Sequence, residues 1–177
     1  MKNLILFLLF SIALTCCQKD DDQTISPINQ LPPITQTGAN TFGCLLDEQV
    51  FKPGNGPNPL DCVYQFVNGG YYFTLQANKY YADADKLIGV GCVTQKLQIT
   101  QGQTYILQNQ SDGNASGGYF FNVDWFYTSV TYTGELKIIK LDEVNHIVSG
   151  TFWYDVQDTN GVVHKIREGR FDMQYTN

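Results

Sequence analysis

The chain has 177 residues, a formal net charge of −6 and a pI near 4.7. Hydrophobic residues make up 43%, too many for a disordered chain, and the acidity argues against a nucleic-acid binder, which needs a basic surface. The length holds one domain, or at most two very small ones.

Lys2 followed by the apolar run 4–14, broken only by Ser11, reads as a secretory leader over residues 1–16. About eleven apolar residues are too few to span a bilayer as a helix, which takes ~20. The leader ends in Leu14-Thr15-Cys16-Cys17, which resembles a bacterial lipobox. That resemblance implies cleavage before Cys17 and a diacylglycerol on its sulfur, because Cys17 has the branched Leu14 three residues upstream. Cys16 departs from the small Gly, Ala or Ser usual at the preceding position, so cleavage before Cys16 is the alternative. The next residues, Gln18, Lys19, Asp20, Asp21 and Asp22, resemble the export signal that sends lipoproteins of Bacteroidota to the outer face of the outer membrane. A solvated acidic tether is the plainer reading of the same run. The resemblance implies an outer-membrane lipoprotein, held by its lipid and facing the cell exterior. Several acyl chains would hold it there, since one chain alone binds only marginally. Residues 17–40, with Pro27, Pro32 and Pro33, are expected to form a semi-extended linker.

Residues 41–177 then read as a single β-domain with fourteen acidic and nine basic residues, a balance of −5. Runs 41–46 and 50–52 flank Asp47-Glu48-Gln49 as a tight hairpin, and 53–59 is a Pro/Gly loop. Runs 61–67 and 71–76 flank Asn68-Gly69-Gly70, residues that accept positive φ in a hairpin turn. Further strands are expected at 87–94, 96–100, 104–108 and 119–127, with a polar loop at 110–118 and one short helical turn near 80–86. Residues 130–140 are β-rich. In 147–157, Val148, Phe152, Tyr154 and Val156 share one face while Ser149, Thr151, Asp155 and Gln157 share the other, the period-two mark of a half-buried strand. After the turn 158–161 come 162–168 and a last run in which Phe171, Met173 and Tyr175 alternate with polar residues. Short strands joined by Gly, Asn and Asp turns predict an all-β fold, an antiparallel sandwich or flattened barrel of about eight to ten strands.

Three segments of the C-terminal third, Tyr132-Thr133-Gly134-Glu135-Leu136-Lys137-Ile138, Ile147-Val148-Ser149-Gly150-Thr151-Phe152-Trp153-Tyr154 and Glu168-Gly169-Arg170-Phe171-Asp172, resemble an uncharacterised group of Bacteroidota lipoprotein domains. Phe42-Gly43-Cys44-Leu45 with Val50-Phe51 is similar to the first hairpin of that group. The resemblance implies localisation and fold, and it carries no catalytic residues.

The chemistry-bearing residues are sparse. Cys44, Cys62 and Cys92 are an odd set with no C-x-x-C spacing, so neither zinc nor thioredoxin-type chemistry is expected. Cys44 and Cys62, on strands expected to be neighbours, could form a disulfide; buried free thiols acting as small apolar side chains are the other reading. His146 and His164 are the only histidines, and neither sits beside a G-x-S-x-G elbow, so structural roles are expected. Asp83 and Asp85, or the turn 158–161, offer oxygens for calcium but fit no twelve-residue loop, and plain turns are the simpler reading. No metal and no cofactor are expected. Asp124, Glu135, Asp155 and Glu168 could supply the two carboxylates of a glycan hydrolase, a role set by their separation; Glu168 with Arg167 or Arg170 reads more simply as a strand ion pair. The aromatic surplus, with Tyr71, Tyr80, Tyr81, Tyr119 and Trp153 as candidate ligand contacts, points to a surface that binds a carbohydrate or a protein. Core packing and cross-strand aromatic pairs are the competing use. The leading expectation is therefore a non-enzymatic binding domain on a lipid anchor, against a glycan hydrolase or an accessory subunit of an outer-membrane uptake assembly.

Overall fold

The computed structural model describes residues 25–54 and 58–177; the leader, Cys17 and the run 18–22 lie outside the described residues. Eleven strands make one sheet in the order β2-β1-β11-β10-β9-β6-β7-β5-β4-β3, with β8 beside β7. The strands are β1 Thr41–Leu46, β2 Gln49–Phe51, β3 Leu60–Val67, β4 Gly70–Tyr81, β5 Lys86–Thr94 and β6 Thr104–Leu107. They continue with β7 Ala115–Phe121, β8 Asp124–Tyr127, β9 Gly134–Asp142, β10 Ile147–Gln157 and β11 Val163–Gln174.

Every long ladder is antiparallel. The sheet folds over where β6 meets β7 through a single parallel pair, Leu107↔Ala115. One further parallel bridge, Val63↔Thr176, ties the outer edge of β3 to the tail after β11. The two halves therefore face each other as the layers of an all-β sandwich, with the inward residues of each filling the space between. From one layer come Phe42, Leu136, Ile138, Phe152 and Ile166; from the other, Phe73, Leu75 and Val90, all 3% exposed or less. Phe73 meets Phe171 across the core at 6.2 Å. The hydroxyl of Tyr154, on β10, reaches across to the carbonyls of Gly118 (2.7 Å) and Gly91 (3.0 Å) on β7 and β5. A buried hydroxyl with partners contributes about 1 kcal/mol; without them it would cost more than that.

The turns follow their chemistry. Asp47 and Glu48 both have positive φ, as do Asn68 and Gly69, matching the twist of two-residue hairpins. The 3-10 turn Ala82–Ala84 falls where a helical turn was expected.

Four expectations need correction. The run 96–100 is a loop: Lys96 takes a positive φ (46°), and Ile99, 1% exposed, plugs the end of the core. Its alternating apolar residues mark two inward anchors on irregular backbone. The run 119–127 is two strands, β7 and β8, folded at Asn122-Val123. Residues 115–118, expected in a polar loop, belong to β7, where small side chains let large rings approach from both faces.

The fourth correction concerns residues 25–40, expected as a linker. They form a strap across the outside of β1 and β11. Leu31 is buried, and Pro32 sits directly over Gly43, where an added Cβ would lie 2.6 Å from Pro32 Cδ. The strap is latched by Asp172, an outward residue of β11 with no exposure. Its carboxylate accepts hydrogen bonds from Thr35 Oγ1 (2.6 Å), Thr37 N (2.9 Å) and Gly38 N (2.8 Å), with Thr37 Oγ1 and Ala39 N at 3.2 and 3.3 Å. Burial alone would raise the Asp172 pKa, but these donors outweigh it and hold the carboxyl below its ordinary value.

The cysteines also depart from one of the readings. Cys44, Cys62 and Cys92 are buried free thiols, and no disulfide joins Cys44 to Cys62. Strand β1 lies between β2 and β11, whereas β3 pairs with β4 at the far end of the sheet order, so chain proximity misjudged spatial proximity. Burial pushes all three thiols well above their ordinary pKa. They are chemically quiet apolar filling.

Candidate ligand-binding groove

The outward faces of β9, β10 and β11 should be plain polar surface by alternation, and most of this area is. The exception surrounds Trp153 on β10, which is 40% exposed. A β-bulge makes the site. Phe152 pairs with Gly169 and Tyr154 with Ile166, so Trp153 faces two residues of β11, Arg167 and Glu168. Glu168 takes the left-handed conformation (φ 55°), at a cost of order 1 kcal/mol. Gly169 is required beside it, because an added Cβ would lie 2.4 Å from the ring of the buried Phe152.

The bulge turns two guanidinium groups toward Trp153 and holds both. Arg167 Nη1 donates to the carbonyls of Tyr154 and Ile166, each at 2.9 Å, and its Nη2 donates to Asp155 Oδ1 at 2.6 Å. Its Cζ then lies 5.5 Å from the centre of the Trp153 ring, a cation–π contact. Arg170 donates through Nε to the Glu168 carbonyl and through Nη2 to Glu168 Oε2, both at 3.1 Å. Glu168 and Arg170 are thus the ion pair expected from their spacing.

The neighbouring strand completes the floor. Glu135 on β9 is the register partner of Trp153, and Lys137 that of Thr151. Thr104 of β6 and Ile34 of the strap close the two ends. The result is a groove of about 370 Å³, within the size range of small-ligand sites. Donors and acceptors alternate around an aromatic face, and the arginines are already fixed in place.

The candidate contacts read from sequence do not converge on one site. Trp153 lies in this groove. Tyr71 lies in a second depression of about 210 Å³, stacked on Tyr64 at 5.5 Å and against the exposed Phe66 at 5.0 Å. Burial, with Glu143 nearby, pushes the Tyr64 phenol up to about 12. Tyr119 borders a third depression of about 310 Å³ but is only 4% exposed, packed between His164 at 4.1 Å and Phe126 at 6.2 Å. Tyr80 is exposed and donates its hydroxyl to Asp85 at 2.7 Å, while Tyr81 lies beneath the Lys79 ammonium at 4.7 Å.

The other chemical candidates fall into structural roles. His164 Nδ1 lies 2.8 Å from Asp47 Oδ2, and its Nε2 lies 3.8 Å from Asp158. Asp158 Oδ1 accepts from the backbone of Asn160 and Val162, so the turn 158–161 uses that oxygen itself. His146 packs against Tyr175 at 5.3 Å. Among the described residues, no group of three His, Cys, Asp or Glu is placed to hold a metal ion. Asp124 and Glu168 border different depressions, whereas Glu135 and Glu168 share the groove.

Lys137, Arg167 and Arg170 were missed as site residues. The signal available was the charged outward alternation of β9, with Glu135 and Lys137, facing a lone tryptophan on β10. The bulge that gathers the arginines depends on pairing and leaves no local mark beyond Glu168-Gly169. The chain matches no family model, no curated protein and no solved structure, so the groove stands on its own geometry.

Proposed function

We propose that this protein is a surface-exposed outer-membrane lipoprotein whose β-domain binds a ligand without catalysing a reaction. The anchor rests on the leader, on Cys17 and on the export-like run that follows it, and the likeness to Bacteroidota lipoprotein domains supports the same location. The observation that carries the binding reading is the groove at Trp153, where an exposed ring stands among pre-positioned hydrogen-bonding groups.

Cys17→Ala should move the protein from the membrane fraction to the soluble fraction, and retention in membranes would refute the anchor. Neutral replacements at Lys19, Asp20, Asp21 and Asp22 should abolish labelling of intact cells by an impermeant reagent. A hydrolase is the competing reading, favoured by one observation: Glu135 and Glu168 line the same groove. It requires release of new reducing ends from a polysaccharide, abolished by Glu135→Gln; with no such release, the binding role stands.

A further inference from the structure

Resting on that binding reading, we propose that the groove at Trp153 takes a neutral, polyhydroxylated chain: an uncharged oligosaccharide laid across the strands with one ring stacked on Trp153.

The charge count comes first. Lys137, Arg167 and Arg170 face Glu135, Asp155 and Glu168, so the site balances to zero within a protein that is acidic overall. An anionic ligand would have to compete with Asp155 and Glu168 for guanidinium groups already paired at 2.6 and 3.1 Å. A cationic ligand would meet those same guanidiniums. An apolar ligand would strip water from several charged groups and return no hydrogen bonds. Hydroxyl groups both donate and accept, so they match carboxylates and guanidiniums alike.

The ring supplies the second argument. Trp153 keeps 40% of its surface open at the middle of the groove, and a pyranose presents a C–H face of matching size and polarity. Preorganisation is the third. Arg167 and Arg170 are locked by the backbone and by their carboxylates, so little rotamer freedom is lost on binding.

Shape argues for a chain over a single ring. The groove crosses from β6 over β9 and β10 to β11, three inter-strand steps or about 14 Å. It is open at its surface, and its floor strands β9, β10 and β11 are each paired on both sides. An extended peptide adding as a strand needs a free edge, which these three strands lack.

The test is affinity electrophoresis of the intact chain through gels containing a neutral polysaccharide (galactomannan, xyloglucan, laminarin or dextran) or a charged one (polygalacturonate or chondroitin sulfate). The expected result is retardation by at least one neutral polymer, insensitive to added salt. Trp153→Ala should weaken it about tenfold or more, and Trp153→Phe should weaken it less. Phe66→Ala, in the second depression, serves as the folding-matched control and should bind as wild type. Retardation by charged polymers only, lost in salt and dependent on Trp153, would overturn the proposal of a neutral ligand while leaving a binding groove. Retardation unchanged by Trp153→Ala would move the site elsewhere and overturn the proposal. Passage through every gel without delay would overturn the proposal, and a proline-rich peptide retained by wild type but not by Trp153→Ala would then assign the groove to a protein partner.

Discussion

The two tryptophans sit on the outward faces of opposite layers and meet opposite fates. Trp125, on β8, lies down against glycine: an added Cβ at Gly118 would come within 3.0 Å of its ring. Phe120 at 5.1 Å and Tyr127 at 5.9 Å pack beside it. Trp153, on β10, stands among charged side chains that bond to one another and leave its ring open. The difference lies in the neighbouring strands. Glycines at positions 89, 91 and 118 make one outer face hollow, so aromatic rings fold down and fill it. Glu135, Lys137, Arg167 and Arg170 build up the other face around its ring. One ring is packed down against its sheet and the other is left exposed.

That contrast can be broken at the hollow face with the largest effect. Gly91→Ala would place a methyl 2.3 Å from the backbone carbonyl oxygen of Leu75 and should cost about 3 kcal/mol in urea unfolding. Thr151→Ala on the charged face should stay within about 0.5 kcal/mol. Trp125→Ala should come next, losing about 2 kcal/mol as its contacts with Phe120 and Tyr127 vanish. Trp153→Ala should cost well below half of that while weakening the proposed ligand binding about tenfold or more. Equal losses from the two tryptophans would erase the distinction between them.

The strap sharpens the comparison, because it is the only cover over the β1–β11 side of the charged layer among the described residues. Asp172→Asn should cost about 2 kcal/mol and expose the strap to proteolysis within residues 25–40. The folded Asp172 carboxyl titrates below its ordinary value near 4, so its contribution is present above that pH. It is lost as the pH falls through the depressed folded value. Wild type should therefore lose more stability in acid than the Asn variant, which keeps only the contributions of other carboxyls such as Asp142 and Asp158, measured as the urea midpoint against pH. A variant with the same acid dependence would remove Asp172 as the latch. The smallest effect belongs to the thiols: dithiothreitol should leave the thermal midpoint unchanged, and Cys44, Cys62 and Cys92 should react with a thiol reagent only after unfolding.

Much of the fold was legible from the chain. Alternation placed β10 and the inward Phe171 and Met173, and the Asn68-Gly69 and Asp47-Glu48 turns fixed two hairpins, because side-chain period and positive φ are local properties. Loop 95–103 and strand β7 were misjudged because their identity depends on what lies across the core. Ile99 alternates with Leu97 as a strand residue would, and Ala115-Ser116-Gly117-Gly118 is polar and small as a loop would be. Of the groove, the sequence marked Trp153 and the Glu168–Arg170 pair, but not the bulge that aims Arg167.

The sequence alone determined an all-β domain, its hairpin turns and its inward faces, since each is written in composition or short-range pattern. Tertiary structure decided the rest. It decided that three cysteines are buried and unpaired, that residues 25–40 are a strap latched on Asp172, and that Trp153, Tyr71 and Tyr119 border three separate depressions. It also decided which tryptophan stays open. These outcomes depend on which strands become neighbours, and strand order is set by burial over the whole molecule, a sum that no local segment contains.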